Sequence, residues 1–388
     1  MDKVIFLSIY KINGFGGASI GQKKIFYALK DFCIRENLEL ISITLENDSI
    51  TKYGIKPVVK YRIYDYLSRI LLHSTYFYIW WIFNKRKVLE LNPKIVVLGN
   101  SKMGFVAKYF KSKHKEIRVI GHFDNFELQC VDSYYADKKD FLTKIKKNID
   151  KYVVARDERS FTKSVDVSIF LTSRDENRVL NQYPTKAPSF LWPVMVEHSP
   201  IVKLPFKKQI MFTGSLSYGS NLDGLFWFIE NVWIDLSNDK FDFIIAGANP
   251  TEELKRVCSK HESIRLISNF ANLNDIITVG SIMVSPILNG SGMKVKVAES
   301  LSHGLPIIGT TETFIGYEKH IDGKFIVRSD SSKDFIYEIR RLMVLSDDEF
   351  LSASVHLKEI HSENFSYIKS NQILQSIMDK VMNERYDR

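Results

Sequence analysis

The stretch from Ser285 to Thr311 holds the residues best suited to chemistry. It carries Asn289, then Gly290-Ser291-Gly292, Lys294, Lys296 and Glu299. A glycine-bearing turn that opens a helix presents free backbone N–H groups, and the helix dipole adds partial positive charge there. Lys294 and Lys296 place two ammonium groups in the expected first turn. Glu299, three residues after Lys296, shares a helix face with it. Backbone N–H and ammonium groups beside one carboxylate suit a nucleoside diphosphate. An ordinary strand–turn–helix with solvated lysines has the same pattern, because glycine-rich turns before helices are common.

Such a turn has to be held by strands alternating with helices, and the chain has that alternation. Apolar runs predict strands at Val4–Tyr10, Leu38–Leu45, Ile95–Gly99, Ile117–His122 and Val165–Leu171. Ser19–Glu36 and the charged stretch Asp137–Thr162 read as helices, and Thr172-Ser173-Arg174-Asp175-Glu176 as a capped helix start. Tyr183–Phe206 contains five of the ten prolines and reads as a connection between domains. A second series follows, with strands at Gln209–Thr213, Phe241–Ala246, Ile264–Ile267 and Ser281–Leu288. Helices are expected at Leu222–Leu236, Thr251–Lys260 and Leu273–Val279. After a strand at Phe325–Val327 the chain reads as helical from Ser332 to its end. The pattern predicts an α/β protein made of two doubly wound halves facing each other, with ligands at the carboxyl ends of the strands, in the cleft. The expected boundaries are 1–200, 201–365, and a C-terminal helix over 366–388 that is a candidate to pack back on the first domain.

At 388 residues and 45% hydrophobic content the chain is too long for one ordinary core. Its net charge of +9 and pI of about 9.1 point to an anionic partner. Phosphorylated substrates and anionic membranes qualify; nucleic acid is set aside because no recognised module accompanies the charge. Cys33, Cys130 and Cys258 are widely spaced and read as reduced, structural thiols of a cytoplasmic protein. The histidines show no ligand spacing, which predicts no metal site. The run Tyr76–Phe83 is far shorter than the roughly 20 residues of a membrane span. With Lys85-Arg86-Lys87 beside it, and the lysine-rich stretches Lys102–Arg118 and Lys138–Lys151, it suits the interface of an anionic membrane. A core helix and solvated helix faces are the alternatives. Gly14-Phe15-Gly16-Gly17 lacks the third glycine of a dinucleotide fingerprint, which counts against a nicotinamide-dependent oxidoreductase.

The motifs together resemble a known family. Gly290-Ser291-Gly292, Lys296, Glu299, Gly304, Pro306 and Gly309-Thr310-Thr311 resemble the donor-binding segment of bacterial glycosyltransferases of family 4. Phe212-Thr213-Gly214-Ser215-Leu216, with Asn221 and Leu225-Phe226-Trp227-Phe228, is similar to the first strand and helix of that family's donor domain. Gly16-Gly17 resembles its N-terminal glycine loop. Phe123-Asp124-Asn125-Phe126-Glu127 resembles a segment that ends its acceptor-domain sheet. The likeness runs nearly the whole chain in order and is strongest over residues 209–320.

The resemblance implies the GT-B fold, two Rossmann-like domains with the active site between them. It implies a hexosyl-type glycosyltransferase that moves a sugar from a UDP- or GDP-linked donor to a glycan or lipid-linked acceptor. The setting would be bacterial cell-surface polysaccharide or lipopolysaccharide synthesis, cytoplasmic or on the inner face of the membrane. Retention of configuration, no metal ion and no cofactor beyond the co-substrate are also implied. Glu299 would accept hydrogen bonds from the donor ribose, and Lys296 with Lys294 would neutralise the leaving diphosphate. Backbone amides of Gly214-Ser215 and of the turn Asn289, Gly290, Ser291 and Gly292 would approach phosphate or sugar oxygens. Phe270, after Asn269, would sit near the base. His122, Asp124, Lys296 and Glu299 are the candidate catalytic residues; Gly16, Gly17, Asn125 and Glu127 are the candidate acceptor residues.

The sequence also departs from the family. Many members carry two glutamates seven residues apart, and here Ser291 stands at the first position. Ser215 and Ser220 stand where many have arginine and lysine, and Asp124 where relatives often have histidine. His122 alone also reads as a strand-end histidine. A nucleotide-sugar epimerase of the same fold, and a non-catalytic partner that binds a nucleotide sugar, are therefore carried as alternatives.

Overall fold

The computed structural model describes residues 1–12, 17–135, 140–197, 206–239, 241–268, 270, 273–290 and 292–383. The chain divides into two compact units, Met1–Pro193 with Ser370–Arg388, and Val194–Lys369.

The first unit is built on a six-stranded sheet in the order β2-β1-β3-β4-β5-β6. The strands are β1 (Lys3–Leu7), β2 (Glu39–Ile43), β3 (Pro93–Leu98), β4 (Arg118–Phe123), β5 (Val167–Phe170) and β6 (Ser189–Leu191), all parallel. Its helices are α1 (Gly17–Arg35), α2 (Arg62–Ile70), α3 (Phe77–Glu90), α4 (Gly104–Lys113), α5 (Glu127–Tyr134), α6 (Phe141–Ser164) and α7 (Ser173–Gln182). Parallel strands covered on both faces read as continuous apolar runs, which is why β1, β3 and β5 were legible. Thr172 caps α7, its side chain accepting from the Asp175 N–H, as the sequence predicts. The proline-rich connection holds a strand that sequence reasoning missed. β6 is three residues long and sits at the sheet edge against β5, too short for an alternating pattern to register. The buried amine of Lys24, on α1, donates to the carbonyls of Trp192 (2.7 Å) and Pro193 (2.6 Å) and so fixes the end of this unit's main segment.

The aromatic run Tyr76–Phe83 is part of a core helix. Phe77, Trp80, Trp81, Asn84 and Val88 recur along α3 and are all buried. The Trp80 indole N–H donates to Lys56 O at 2.8 Å. These tryptophans are therefore not available to a membrane interface. No helix among the described residues is long and apolar enough to cross a membrane.

The second unit has strand order β12-β11-β10-β7-β8-β9, again parallel throughout. The strands are β7 (Gln209–Thr213), β8 (Phe243–Ala246), β9 (Ile264–Ile267), β10 (Ser281–Ser285), β11 (Ile307–Gly309) and β12 (Ile326–Arg328). α8 (Gly219–Phe228) runs through a π-helical turn (Ile229–Trp233) into the short α9 (Ile234–Leu236). Then come α10 (Glu252–Cys258), α11 (Val295–His303), α12 (Ser332–Met343), α13 (Asp347–Asn364) and α14 (Tyr367–Asn383).

Two expectations fail here for local reasons. The helix expected at Leu273–Val279 is only a 3-10 turn, Leu273–Asp275. The β-branched Ile276-Ile277-Thr278-Val279 disfavours a helix, and the Thr278 N–H is taken by the Ser281 hydroxyl at 2.9 Å. β10 ends at Ser285 rather than Leu288, because Pro286 has no N–H to continue a central strand. In each sheet the first strand of the unit, β1 or β7, lies where the strand order reverses. The crevices β1/β3 and β7/β10 are the positions where doubly wound sheets bind ligands.

Candidate functional site

In the second unit the site grows from the ends of β7 and β10 and the start of α11. β7 stops at Gly214, whose φ of +149° is one that residues with a side chain rarely adopt. The turn it makes is held from two sides. Leu216 N–H donates to Ala248 O at 2.8 Å, beyond β8. Asn221, on α8, donates from Nδ2 to Ser215 O at 2.9 Å. The same amide accepts from Lys296 Nζ through Oδ1 at 3.0 Å. Lys296 is buried in the first turn of α11, with its ammonium 3.8 Å from the centroid of the Phe212 ring. A Cβ on Gly214 would stand 3.4 Å from that ammonium, so the amine lies directly beside the backbone turn.

Burial pushes the Lys296 amine down to about 7; the Glu299 carboxylate opposes this and Lys294 adds to it. Burial raises the Glu299 carboxyl in turn, against the pull of Lys296. An anion brought beside Lys296 would stabilise its ammonium form, because a nearby opposite charge favours the charged state.

The glycine turn and the helix start are separate. α11 begins at Val295, with Lys294 as its N-cap residue and no side-chain cap. Gly290 and Gly292 therefore lie upstream of the helix N-terminus instead of forming it. Lys294 folds back on its own loop, where Nζ donates to Gly292 O at 2.8 Å and lies 3.7 Å from Glu312 Oε1. Its carbonyl accepts from the Tyr317 hydroxyl at 2.9 Å. Of the two lysines, Lys296 is the one aimed at the Gly214 turn. Asn289 is exposed, and Gly290, Ser215 and Phe270 are half-buried. Ser291 and Asn269 lie outside the described residues.

In the first unit a second polar cluster forms at the ends of β3 and β4. Asp124 accepts from Gln22 Nε2 on α1 at 3.0 Å and from Asn100 Nδ2 at 3.1 Å. Asn100 also reaches Glu127 Oε1 at 3.1 Å, and Lys102 Nζ is 2.8 Å from Glu127 Oε2. Both carboxylates are almost fully buried. Burial alone would lower the Lys102 amine, but the Glu127 carboxylate outweighs it and holds the ammonium above its ordinary range. His122 is fully buried on β4, with Nδ1 3.1 Å from Asp124 Oδ1. Asn125 is half-buried beside them, Gly17 opens α1, and Gly16 lies outside the described residues.

Beneath this cluster Glu158, on α6, accepts from the N–H groups of Glu127 (2.9 Å) and Leu128 (3.2 Å) and so sets the start of α5. Burial, with the nearby Glu127 carboxylate, pushes Glu158 up to about 8. The folded state therefore holds a proton that the unfolded state releases above about 4.5. This contribution to stability is complete below about pH 4.5 and is lost as pH rises through about 8. Glu158→Gln should flatten that part of the profile. Urea denaturation at pH 5.5 and 8.5 should show the wild type losing roughly 2–4 kcal/mol more than the variant over this interval. Equal losses would mean that Glu158 is ionised in the folded protein.

Six residues of these clusters had no place among the sequence-derived site residues: Gln22, Asn100, Lys102, Glu158, Phe212 and Asn221. Asn100 had a usable signal, since it directly follows a predicted strand, where crevice ligands bind, and Asn221 had one in the resemblance to the donor domain. Lys102 read as part of a solvated basic stretch, and Gln22 and Glu158 as helix residues of no special kind. Among the described residues no group of three or more His, Cys, Asp or Glu is arranged to hold a metal ion. Cys33 and Cys258 are free and buried, and burial pushes each thiol up to about 11.

An uncharacterised 44.6 kDa protein in the cps region of Klebsiella pneumoniae is 23% identical over 293 residues, 70% of this chain and 69% of that one. Among solved structures, sucrose-phosphate synthase from Thermosynechococcus elongatus superposes with TM-score 0.69 at 11% identity, covering 99% of this chain and 100% of that chain. WaaG, a glycosyltransferase involved in lipopolysaccharide biosynthesis, gives 0.65 at 14% identity, covering 95% and 99%. Anabaena HepE in complex with UDP-glucose gives 0.62 at 10% identity, covering 97% and 99%. The two six-stranded parallel sheets with flanking helices are those of the GT-B glycosyltransferase fold. Residues 207–344, the segment that carries β7 through α12 and the buried Lys296, match the family described as glycosyl transferases group 1.

Proposed function

We propose that this chain is a hexosyl-type glycosyltransferase that transfers a sugar from a nucleotide-sugar donor to a glycan or lipid-linked acceptor in bacterial cell-surface polysaccharide or lipopolysaccharide synthesis. The observation that carries the reading is the buried Lys296 amine beside the Gly214 turn, inside the segment that matches glycosyl transferases group 1. The relative from a cps region and the likeness to WaaG support the cell-surface setting, and the likeness to HepE with UDP-glucose supports a UDP-linked donor. A GDP-linked donor is the alternative.

The residues divide the work as follows. Lys296 neutralises charge on the departing diphosphate, and the amides around Gly214-Ser215 and Gly292 approach its oxygens. Glu299 accepts from the ribose hydroxyls. The chemistry is displacement at the anomeric carbon with retention, driven by positioning and by stabilisation of the leaving group, without a metal ion. Glu127, held by Asn100 and Lys102, would bind the acceptor, and Asp124, held by Gln22 and Asn100, remains with His122 a catalytic candidate. Release of nucleoside diphosphate from a panel of UDP- and GDP-sugars tests the reading. Release from one donor that rises with added acceptor is expected; neither binding nor release with any donor would overturn it. Binding without release selects a second reading, a partner that holds a nucleotide sugar without turnover. Ser215, whose hydroxyl lies 3.3 Å from that of Ser217, favours that reading, because a serine there brings no charge to the phosphates.

A further inference from the structure

Lys296 is buried, yet its hydrogen-bond partner carries no charge. Among the described residues Asn221 Oδ1, at 3.0 Å, is the one acceptor it reaches, and the centroid of the Phe212 ring lies 3.8 Å from its ammonium. Other lysines are held differently. Lys102 pairs with the Glu127 carboxylate at 2.8 Å, and Lys294 lies 3.7 Å from Glu312 Oε1. Lys24, also buried, spends two N–H bonds on carbonyls. Lys296 spends one on Asn221, so N–H bonds remain for a ligand. From α11, Glu299 and Lys294 act on this amine through their charge. β7 and α8 bring Phe212 and Asn221 to it, neither of which titrates.

Asn221 lies in the first turn of α8 and is itself buried. Its carboxamide makes two bonds of opposite sense: Nδ2 donates to Ser215 O at 2.9 Å, and Oδ1 accepts from Lys296. An aspartate could not donate to Ser215, and a lysine could not accept from Lys296. The fit is close, since a Cβ on Gly214 would lie 2.8 Å from Asn221 Nδ2. One neutral side chain therefore ties the amine of α11 to the turn that ends β7. A carboxylate in its place would neutralise the ammonium before any ligand arrived.

We propose that Asn221 is the positioning residue for Lys296: its neutral carboxamide holds the amine at the Gly214 turn and leaves the charge of the ammonium for the diphosphate. The proposal rests on the reading of this turn as the diphosphate site. It carries a consequence for protons. Burial pushes the amine of the free protein down to about 7, so at pH 8 it is mostly neutral. A diphosphate favours the ammonium, and its binding then draws about one proton from solvent.

The test is calorimetric titration of the full chain with UDP and GDP, and with uridine and guanosine, at pH 8 in buffers of different ionisation enthalpy. A terminal phosphate loses its second proton near about pH 6, so the ligand is already ionised. The wild type should take up about one proton per diphosphate and none per nucleoside. In Asn221→Asp the new carboxylate charges Lys296 beforehand. Uptake should fall toward zero and diphosphate affinity by at least about tenfold, with nucleoside affinity unchanged. Asn221→Ala releases the amine but adds no charge. It should lose diphosphate affinity and keep the proton uptake, and it decides the matter if the aspartate variant does not fold by circular dichroism. Wild-type diphosphate affinity in the folded variants, equal losses for diphosphate and nucleoside, or a wild type that binds diphosphate without proton uptake would overturn the proposal and leave the donor site standing. A wild type that binds neither diphosphate would overturn the donor-site reading and the proposal with it.

Discussion

Lys296→Met is expected to make the protein more stable at pH 6 while removing most of the proposed affinity for nucleoside diphosphates. The wild-type amine is held at about 7 in the folded state, against 10.5 when free. Between those values the unfolded chain binds more protons than the folded one, so stability rises with pH across the interval. At or below pH 7 the full cost of burying the ammonium is present. Methionine has a similar shape and no charge, and so it removes that cost. Part of the gain is offset because Asn221 Oδ1 loses its donor. A net gain of about 1–3 kcal/mol at pH 6, shrinking toward pH 10, is the expected balance. Lys24 has the same depressed titration and contributes its own slope to both proteins, so the difference between them isolates Lys296. For binding, loss of one buried cation from a diphosphate site should weaken UDP or GDP by roughly 100-fold, with little change for the plain nucleoside. Urea titrations at several pH values and calorimetric titration with the diphosphate and the nucleoside would read both effects. A variant that is less stable and binds UDP as the wild type does would mean that Lys296 is a structural lysine.

Gly247→Ala should damage the same site from the other side of the sheet. Gly247 follows β8, and a Cβ there would lie 1.8 Å from the Gly214 carbonyl oxygen and 2.8 Å from the Leu216 side chain. The obstacle is backbone, so no rotamer relieves it. Either the hydrogen bonds from Gly214 N–H to Ala246 O and from Leu216 N–H to Ala248 O open, or the strands separate locally. A stability loss of about 2–4 kcal/mol is expected. Because the displaced segment is the Gly214-Ser215 turn, donor affinity should fall with it. Gly219→Ala is the control: it lies in the same loop region, at the start of α8, with nothing within 4 Å of its added Cβ. Matched denaturation and binding curves for both variants decide the matter. Equal behaviour of Gly219→Ala and Gly247→Ala would show that the close approach of β8 to the Gly214 turn has no energetic consequence.

The parallel sheets were readable because strands buried on both faces write themselves as apolar runs, and because Thr172 and Thr251 cap their helices through local hydrogen bonds. Features set by neighbours distant in sequence were not readable. β6 is a strand only because β5 offers it an edge. α3 could have been a membrane-facing or a core helix on its sequence, and Lys56, 24 residues before Trp80, supplies the carbonyl that fixes the indole inside. The site shows the same division. Lys296 and Glu299 could be read as neighbours on one helix face, whereas the pairing of Lys296 with Asn221 spans 75 residues. Lys294 and Lys296 look equivalent in sequence, yet one closes its own loop and the other lies over Phe212.

The most direct test of the account is a structure of the protein with a nucleoside diphosphate bound. The account predicts the diphosphate at the Gly214-Ser215 turn, within hydrogen-bonding distance of Lys296 Nζ, with the ribose against Glu299. A diphosphate seated elsewhere, for instance at the end of β1 near Gln22 and Asp124, with Lys296 still bonded only to Asn221, would contradict it.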